Sequence, residues 1–157
     1  MFHALSSILS SSDSIFQLDL SDCLLTSEST QVLLEVKYQH LFLYQLYQLS
    51  KGLARNSSIK ILLLKGNNIS GNTVVLLGRL LRLNSSITRL SLEWNCVGLD
   101  HDCFAGLCAG LASNQSLQVL DLRNNQLSHQ AVVALCSALR ANSTVRHLGE
   151  QNFIQLK

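Results

Sequence analysis

Apolar residues along this chain follow two alternating periods, one of about two residues and one of about 3.6. Four segments, SIFQLDLSDCLL, SIKILLLKGNNI, SITRLSLEWNCV and SLQVLDLRNNQL, share the template (I/L)xxLxLxx(N/C)x(L/I/V). In each, a leucine pair (Leu18/Leu20, Leu62/Leu64, Leu90/Leu92, Leu120/Leu122) alternates with other residues. A period of two sends both leucines to one face of a short strand, which predicts strands over 18–21, 62–65, 90–93 and 120–123. Asn67, Asn95 and Asn125 follow, with Cys23 in the same place in the first unit. They are expected to turn inward and satisfy backbone groups of neighbouring turns. The period then lengthens: Val74/Leu77/Leu81, Phe104/Leu107/Leu111 and Val132/Leu135/Leu139 each draw one apolar stripe on a helix.

Ile15, Ile59, Ile87, Leu117 and Val145 begin successive units at spacings of 44, 28, 30 and 28 residues. A strand, a turn and a helix cannot bury their apolar faces alone, so such units have to stack. The expected fold is α/β: a leucine-rich repeat solenoid, a horseshoe segment of about four repeats of 28–30 residues with a parallel concave sheet and convex helices. The pattern resembles the long-repeat class of ribonuclease inhibitor and of NOD-like receptor sensor regions over about residues 14–148.

Two places break it. The first unit is 16 residues too long. Removing VKYQHLFLYQLYQLSK, residues 36–51, which holds Tyr38, Tyr44 and Tyr47, restores a four-residue spacing between Leu33 and Leu53. At the other end the register calls for leucine at 150 and asparagine at 153, where Glu150 and Phe153 stand. The expected organisation is a repeat domain over 1–148 with an insertion at 36–51 and a non-repeat tail over 149–157. Neither the tail nor the short helical start FHALSSILSS makes a complete cap, so the chain reads as a shortened version of a longer protein.

Composition adds exclusions. The chain has 157 residues, 47% of them hydrophobic and 14% charged, with a net charge of +2, which argues against nucleic acid or an anionic membrane as partner. No apolar window approaches a membrane span and the start MFHALSS lacks the regions of a signal peptide, so the expectation is a cytoplasmic protein. Asn56, Asn68, Asn84, Asn114 and Asn142 each open an N-x-S/T triplet and are then expected to stay unmodified. Five cysteines form neither a CxxC pair nor a Cys/His cluster at zinc spacing. No phosphate loop, nucleophile elbow or HExxH motif is present. Asp100–Cys103, DHDC, groups carboxylate, imidazole and thiol, but lies where Asp100 caps a helix. The expectation is no enzyme, no metal, no cofactor and no small-molecule substrate.

What remains is surface. Residues alternating with the core leucines make three outward columns: Asp19, Leu63, Ser91 and Asp121; Ser21, Lys65, Glu93 and Arg123; Asp22, Gly66, Trp94 and Asn124. The single tryptophan lies in the third. Tryptophan and arginine are enriched at binding hot spots, so a protein partner is expected on Trp94, Glu93, Arg123, Lys65, Asp121 and Ser91, with Trp94 and Arg123 projecting from the sheet rather than into the core. The competing reading is that the indole stacks on its strand neighbours.

The phrases LSDCLL, LKGNNI, LSLEWN and LDLRNNQLSH, in this order and spacing, resemble the amino-terminal repeat domain of the leucine-rich repeat-containing protein forty-five family of centrosome-linker proteins. The resemblance implies a protein-binding scaffold at the centrosome; the coiled coil that follows the repeats in that family has no counterpart here. Two alternatives stand beside it. One is a fragment of a NOD-like receptor sensor or of a ribonuclease-inhibitor-like regulator. The other is a GTPase activator, for which Arg123 is the only arginine in the three columns.

Overall fold

The computed structural model describes residues 2–23, 47, 49–149 and 154–155. Helix α1 (Phe2–Ser11) leads into β1 (Gln17–Asp19). Residues 49–55 form α2, followed by β2 (Ile61–Leu63), α3 (Asn72–Leu83), β3 (Arg89–Ser91), α4 (His101–Ser113), β4 (Val119–Asp121), α5 (His129–Ala141), β5 (His147–Leu148) and β6 (Ile154–Gln155). The sheet runs β1 to β6 in sequence order, with β1 to β5 parallel. Leu18, Leu62, Leu90, Leu120 and Leu148 are in register from strand to strand.

Each strand expected from the leucine alternation begins one residue earlier and ends two residues earlier. The inter-strand ladder nevertheless persists through the expected ends. Leu64 N donates to Ser91 O and Leu92 N to Asp121 O, both at 2.9 Å, and Trp94 N reaches Arg123 O at 3.1 Å. The strands stop short because the chain enters a left-handed turn at Asp22, Gly66, Trp94 and Asn124, where the pleat cannot continue. Leu62, Leu64, Leu90, Leu92, Leu120 and Leu122 are buried as expected, and Leu18 and Leu20 of the outermost strand are half-buried.

Two asparagine columns hold the units together. In the first, Asn95 Nδ2 donates to Leu64 O and Leu92 O at 2.9 Å, while its Oδ1 accepts from Asn67 N at 3.0 Å and Ile69 N at 2.8 Å. Asn67 and Asn125 repeat the pattern towards Leu20 and Leu92. Cys23, expected in this column, is exposed instead; a thiol lacks the paired donors and acceptor that draw an amide into the turn.

The second column is formed by Asn56, Asn84, Asn114 and Asn142, each just after a helix. Their Nδ2 groups donate to Leu9 O, Leu53 O, Leu81 O and Leu111 O of the preceding helix at 2.6, 2.6, 2.6 and 2.8 Å. Their Oδ1 atoms accept from Ile59, Ile87, Leu117 and Val145 N at 2.7 to 2.8 Å. Four of the five N-x-S/T triplets are therefore a structural clamp, and Asn56, Asn84 and Asn114 are buried. Through Asn56, α1 is held just as the later helices are.

Helices α3 and α4 bury Val74, Leu77, Leu81, Phe104, Leu107 and Leu111. They approach backbone to backbone: a Cβ on Gly110 would lie 2.0 Å from Gly78 O, and one on Gly78 2.2 Å from Gly106 O. In α5 the expected stripe is corrected. Val132 is 43% exposed, Leu139 is half-buried, and Ala131, Leu135 and Ala138 make the buried face. Among the described residues no helix follows α5 to cover the side that carries Val132.

Leu49, within the segment set apart as an insertion, is buried one turn before the buried Leu53 on α2; the rest of residues 36–51, apart from 47, 50 and 51, lies outside the described residues. At the far edge β6 pairs antiparallel with β5, Leu148 opposite Ile154. This reversal withdraws the β5 edge from pairing with another chain. No helix of the described residues is long and apolar enough to cross a membrane.

Candidate protein-binding face

The solvent side of the sheet is a row of residues alternating with the buried leucines. Lys65, Glu93, Arg123 and Asp121 form one ion-pair chain: Lys65 Nζ to Glu93 at 3.4 Å, Arg123 to Glu93 at 3.2 Å, and Arg123 to Asp121 at 2.7 Å. Arg123 also donates from Nε to both Asp121 oxygens at 3.0 and 3.2 Å. The fork fits because residues two apart on a strand share a face. Burial pushes the Asp121 carboxyl up, but the Arg123 hydrogen bonds and charge, with Lys65, hold it net below its ordinary 3.8.

The sequence places Asp121 among outward residues, yet it is only 3% exposed. The Arg123 side chain lies across it, so Asp121 serves as the anchor for Arg123 and not as a contact for a partner. Arg123 is committed in turn, and reversing its charge would leave a buried carboxylate without its counterion. Substitution at 123 is thus a test of folding as well as of binding. Lys65 and Trp94 project into solvent, Ser91 is half-buried, and the Glu93 side chain is 13% exposed between its two cations.

The alternation also extends one residue before each leucine pair, through Gln17, Ile61, Arg89 and Val119, a column the sequence reading left out. Arg89 is exposed on β3 and lines a shallow depression of about 340 Å³ together with Lys65, Ser91 and Glu93. Arg123 is therefore not the only arginine on this face. The period of two, carried one residue further, was the signal.

Trp94 stands apart. It is 59% exposed and adopts a φ of +54°. The equivalent turn positions among the described residues are Asp22, Gly66 and Asn124, with φ of +51°, +67° and +55°. Glycine, asparagine and aspartate are the residues that tolerate left-handed backbone, whereas a bulky side chain there is an outlier. Local conformation thus selects against tryptophan at 94. Among the described residues its indole meets no cation or ring: Lys51 over Tyr47 is the one such contact, on another surface.

Asp100 caps α4, accepting from Asp102 N and Cys103 N at 3.0 Å. These bonds, that from Cys103 first, hold its carboxyl below the ordinary range. Asp100, His101 and Asp102 are all exposed and could together offer three ligand atoms; the two capping bonds engage Oδ1 of Asp100. Burial pushes the Cys108 thiol up to about 11, which makes it a core side chain and a poor nucleophile.

The family described as Leucine Rich Repeat matches residues 116–138, the stretch from the start of the fourth unit into α5. Among curated proteins none matches the sequence. Among solved structures, the tropomodulin C-terminal domain from Caenorhabditis elegans is similar with a TM-score of 0.73 and 15% identity, covering 99% of this chain and 84% of that one. The leiomodin-1 actin-binding site 2 is similar with a TM-score of 0.71 and 16% identity, covering 95% of this chain and 78% of that one. At these identities the likeness is one of fold.

Proposed function

We propose that this chain is a non-enzymatic protein-binding module: a leucine-rich repeat solenoid of about four units whose concave face and adjoining turns hold a protein partner. The observation that carries the reading is Trp94, a large exposed aromatic in a turn position that its three described counterparts, Asp22, Gly66 and Asn124, fill with residues suited to left-handed backbone. Strained, exposed side chains cluster where strain is offset by function, and an aromatic anchor beside a polar, pre-arranged rim is the composition of a binding hot spot. The ion-pair chain fixes Glu93 and Arg123, so little side-chain freedom remains to be lost on docking. Lys65, Ser91 and Arg89 supply the polar rim.

Two partners follow from different observations. The four phrases that resemble the centrosome-linker family support a cytoplasmic, centrosomal partner. The likeness of fold to a leiomodin-1 actin-binding site supports actin. Co-sedimentation with filamentous actin, and recovery on the immobilised chain of proteins from purified centrosomes, are to be run in parallel with wild type and Trp94→Asn. The reading predicts that one of them retains a partner whose recovery falls on loss of the indole. Recovery that is equal for both proteins would refute the site.

A further inference from the structure

One cavity among the described residues lies away from the sheet. It lies between α2 and α3, has a volume of about 640 Å³, and is bordered by Tyr47, Lys51, Arg55, Arg79, Leu80 and Leu83 among others. That is within the range of roughly 300–1,000 Å³ typical of ligand sites. Three cations converge on it, and among the described residues none of them pairs with a carboxylate. Lys51 and Arg55 are four apart and so stack on one side of α2; Arg79 faces them from α3. Lys51 Nζ also lies 4.3 Å from the centre of the Tyr47 ring. Unpaired, converging cations repel one another, and a ligand that brings carboxylates between them relieves that repulsion.

The wall is apolar. Leu80 is buried at its base, while Leu83 is 66% exposed and Tyr47 42% exposed at its rim. The lining comes from the sides of two helices and includes no helix N-terminus, so a bare phosphate would find only side-chain donors above leucines. A cleft with helical walls, an apolar base and a cationic rim is complementary to an amphipathic helix whose apolar stripe is edged with acid.

We propose that the cleft between α2 and α3 binds an acidic amphipathic helix of a protein partner, its apolar side chains on Leu80 and Leu83 and its carboxylates against Lys51, Arg55 and Arg79. This surface is separate from the one that carries Trp94.

The test uses the full chain and a fluorescein-labelled peptide of about 14 residues, with leucine at i, i+4 and i+7 and glutamate flanking them, followed by fluorescence anisotropy. The expected results are saturable binding, a loss of at least about tenfold in affinity for Arg55→Glu and for Arg79→Glu, and a similar loss when the peptide carries glutamine for glutamate. Both arginines are exposed, and matched circular dichroism with Arg79→Gln as a milder variant separates loss of charge from loss of fold. Trp94→Asn should leave this affinity unchanged. The proposal is overturned if the glutamine peptide binds as well, if neither arginine variant weakens binding, or if Trp94→Asn weakens it equally. It is also overturned if inorganic phosphate displaces the peptide where chloride of the same ionic strength does not, which would mark a simple anion site. Binding that appears only after deletion of residues 36–46 would show that the chain covers the cleft itself, and would overturn it too.

Discussion

Replacing Trp94 by glycine and by alanine isolates the cost of its backbone from the worth of its indole. Both substitutions delete the side chain, so whatever packing the ring makes is lost equally. At an ordinary helix or strand position glycine is the worse residue, by about 0.5–1 kcal/mol. At φ +54° the order should invert. A non-glycine residue in left-handed backbone costs about 1–2 kcal/mol, and the freer unfolded chain of a glycine variant returns about 0.4–1 kcal/mol of that. The balance favours Trp94→Gly over Trp94→Ala by roughly 0.5–1 kcal/mol. Trp94→Asn, which tolerates the conformation without glycine's entropy, should match or exceed the glycine variant. Equilibrium urea unfolding followed by circular dichroism reads these differences as shifts in midpoint at constant slope. An alanine variant as stable as the glycine variant would mean that the turn is not strained at 94, and the argument that tryptophan is kept there for its side chain would lose its footing.

Four further outcomes follow from the packing. Gly110→Ala should destabilise by about 1–3 kcal/mol in thermal unfolding, because its methyl group would meet the α3 backbone and force the helices apart; unchanged stability would contradict the close approach at Gly78. Asn84→Ala should cost at least about 2 kcal/mol, since it strips partners from Leu53 O, Asn56 O and Ile87 N in the interior, and a surface-like effect below about 0.5 kcal/mol would refute the clamp. The depressed Asp121 carboxyl stabilises the fold at pH values above its ordinary 3.8 and loses that contribution as pH falls through its lower folded value. Wild type should therefore lose stability more steeply than Asp121→Asn from about pH 5 downward, and parallel curves would dismiss the Arg123 pairing as a stabilising element. Deleting residues 36–51 brings Leu33 to the place of Leu49, four before Leu53, so thermal stability should be kept or raised, and failure to fold would show that the segment is integral.

The leucine alternation and the first asparagine column were legible in the sequence because both answer to a short period and a buried face. The second column was hidden behind a motif that means something else. Asn56, Asn84, Asn114 and Asn142 recur at 28, 30 and 28 residues, the spacing of the units themselves, and Asn68 does not. That coincidence was available and marks the four as structural. Trp94 was legible as exposed, but its strain was not, since φ is fixed by the turn and not by the residue. Even so, Asp22, Gly66 and Asn124 in the same column are all residues of left-handed turns. Val132 and Asp121 were misplaced for reasons that lie outside their own segments. One depends on whether another helix follows, the other on a neighbour's guanidinium folding over it. The reversal of β6 onto β5 has no local signal beyond the end of the repeat.

The most direct test of the account is a calorimetric titration of the recovered partner, actin included, into wild type and Trp94→Asn, with unfolding midpoints measured on the same preparations. The account predicts that the variant loses about 2 kcal/mol of binding free energy, roughly thirtyfold in affinity, while its stability stays the same or rises. A partner that binds both proteins equally would contradict it, as would an affinity loss that merely tracks unfolding.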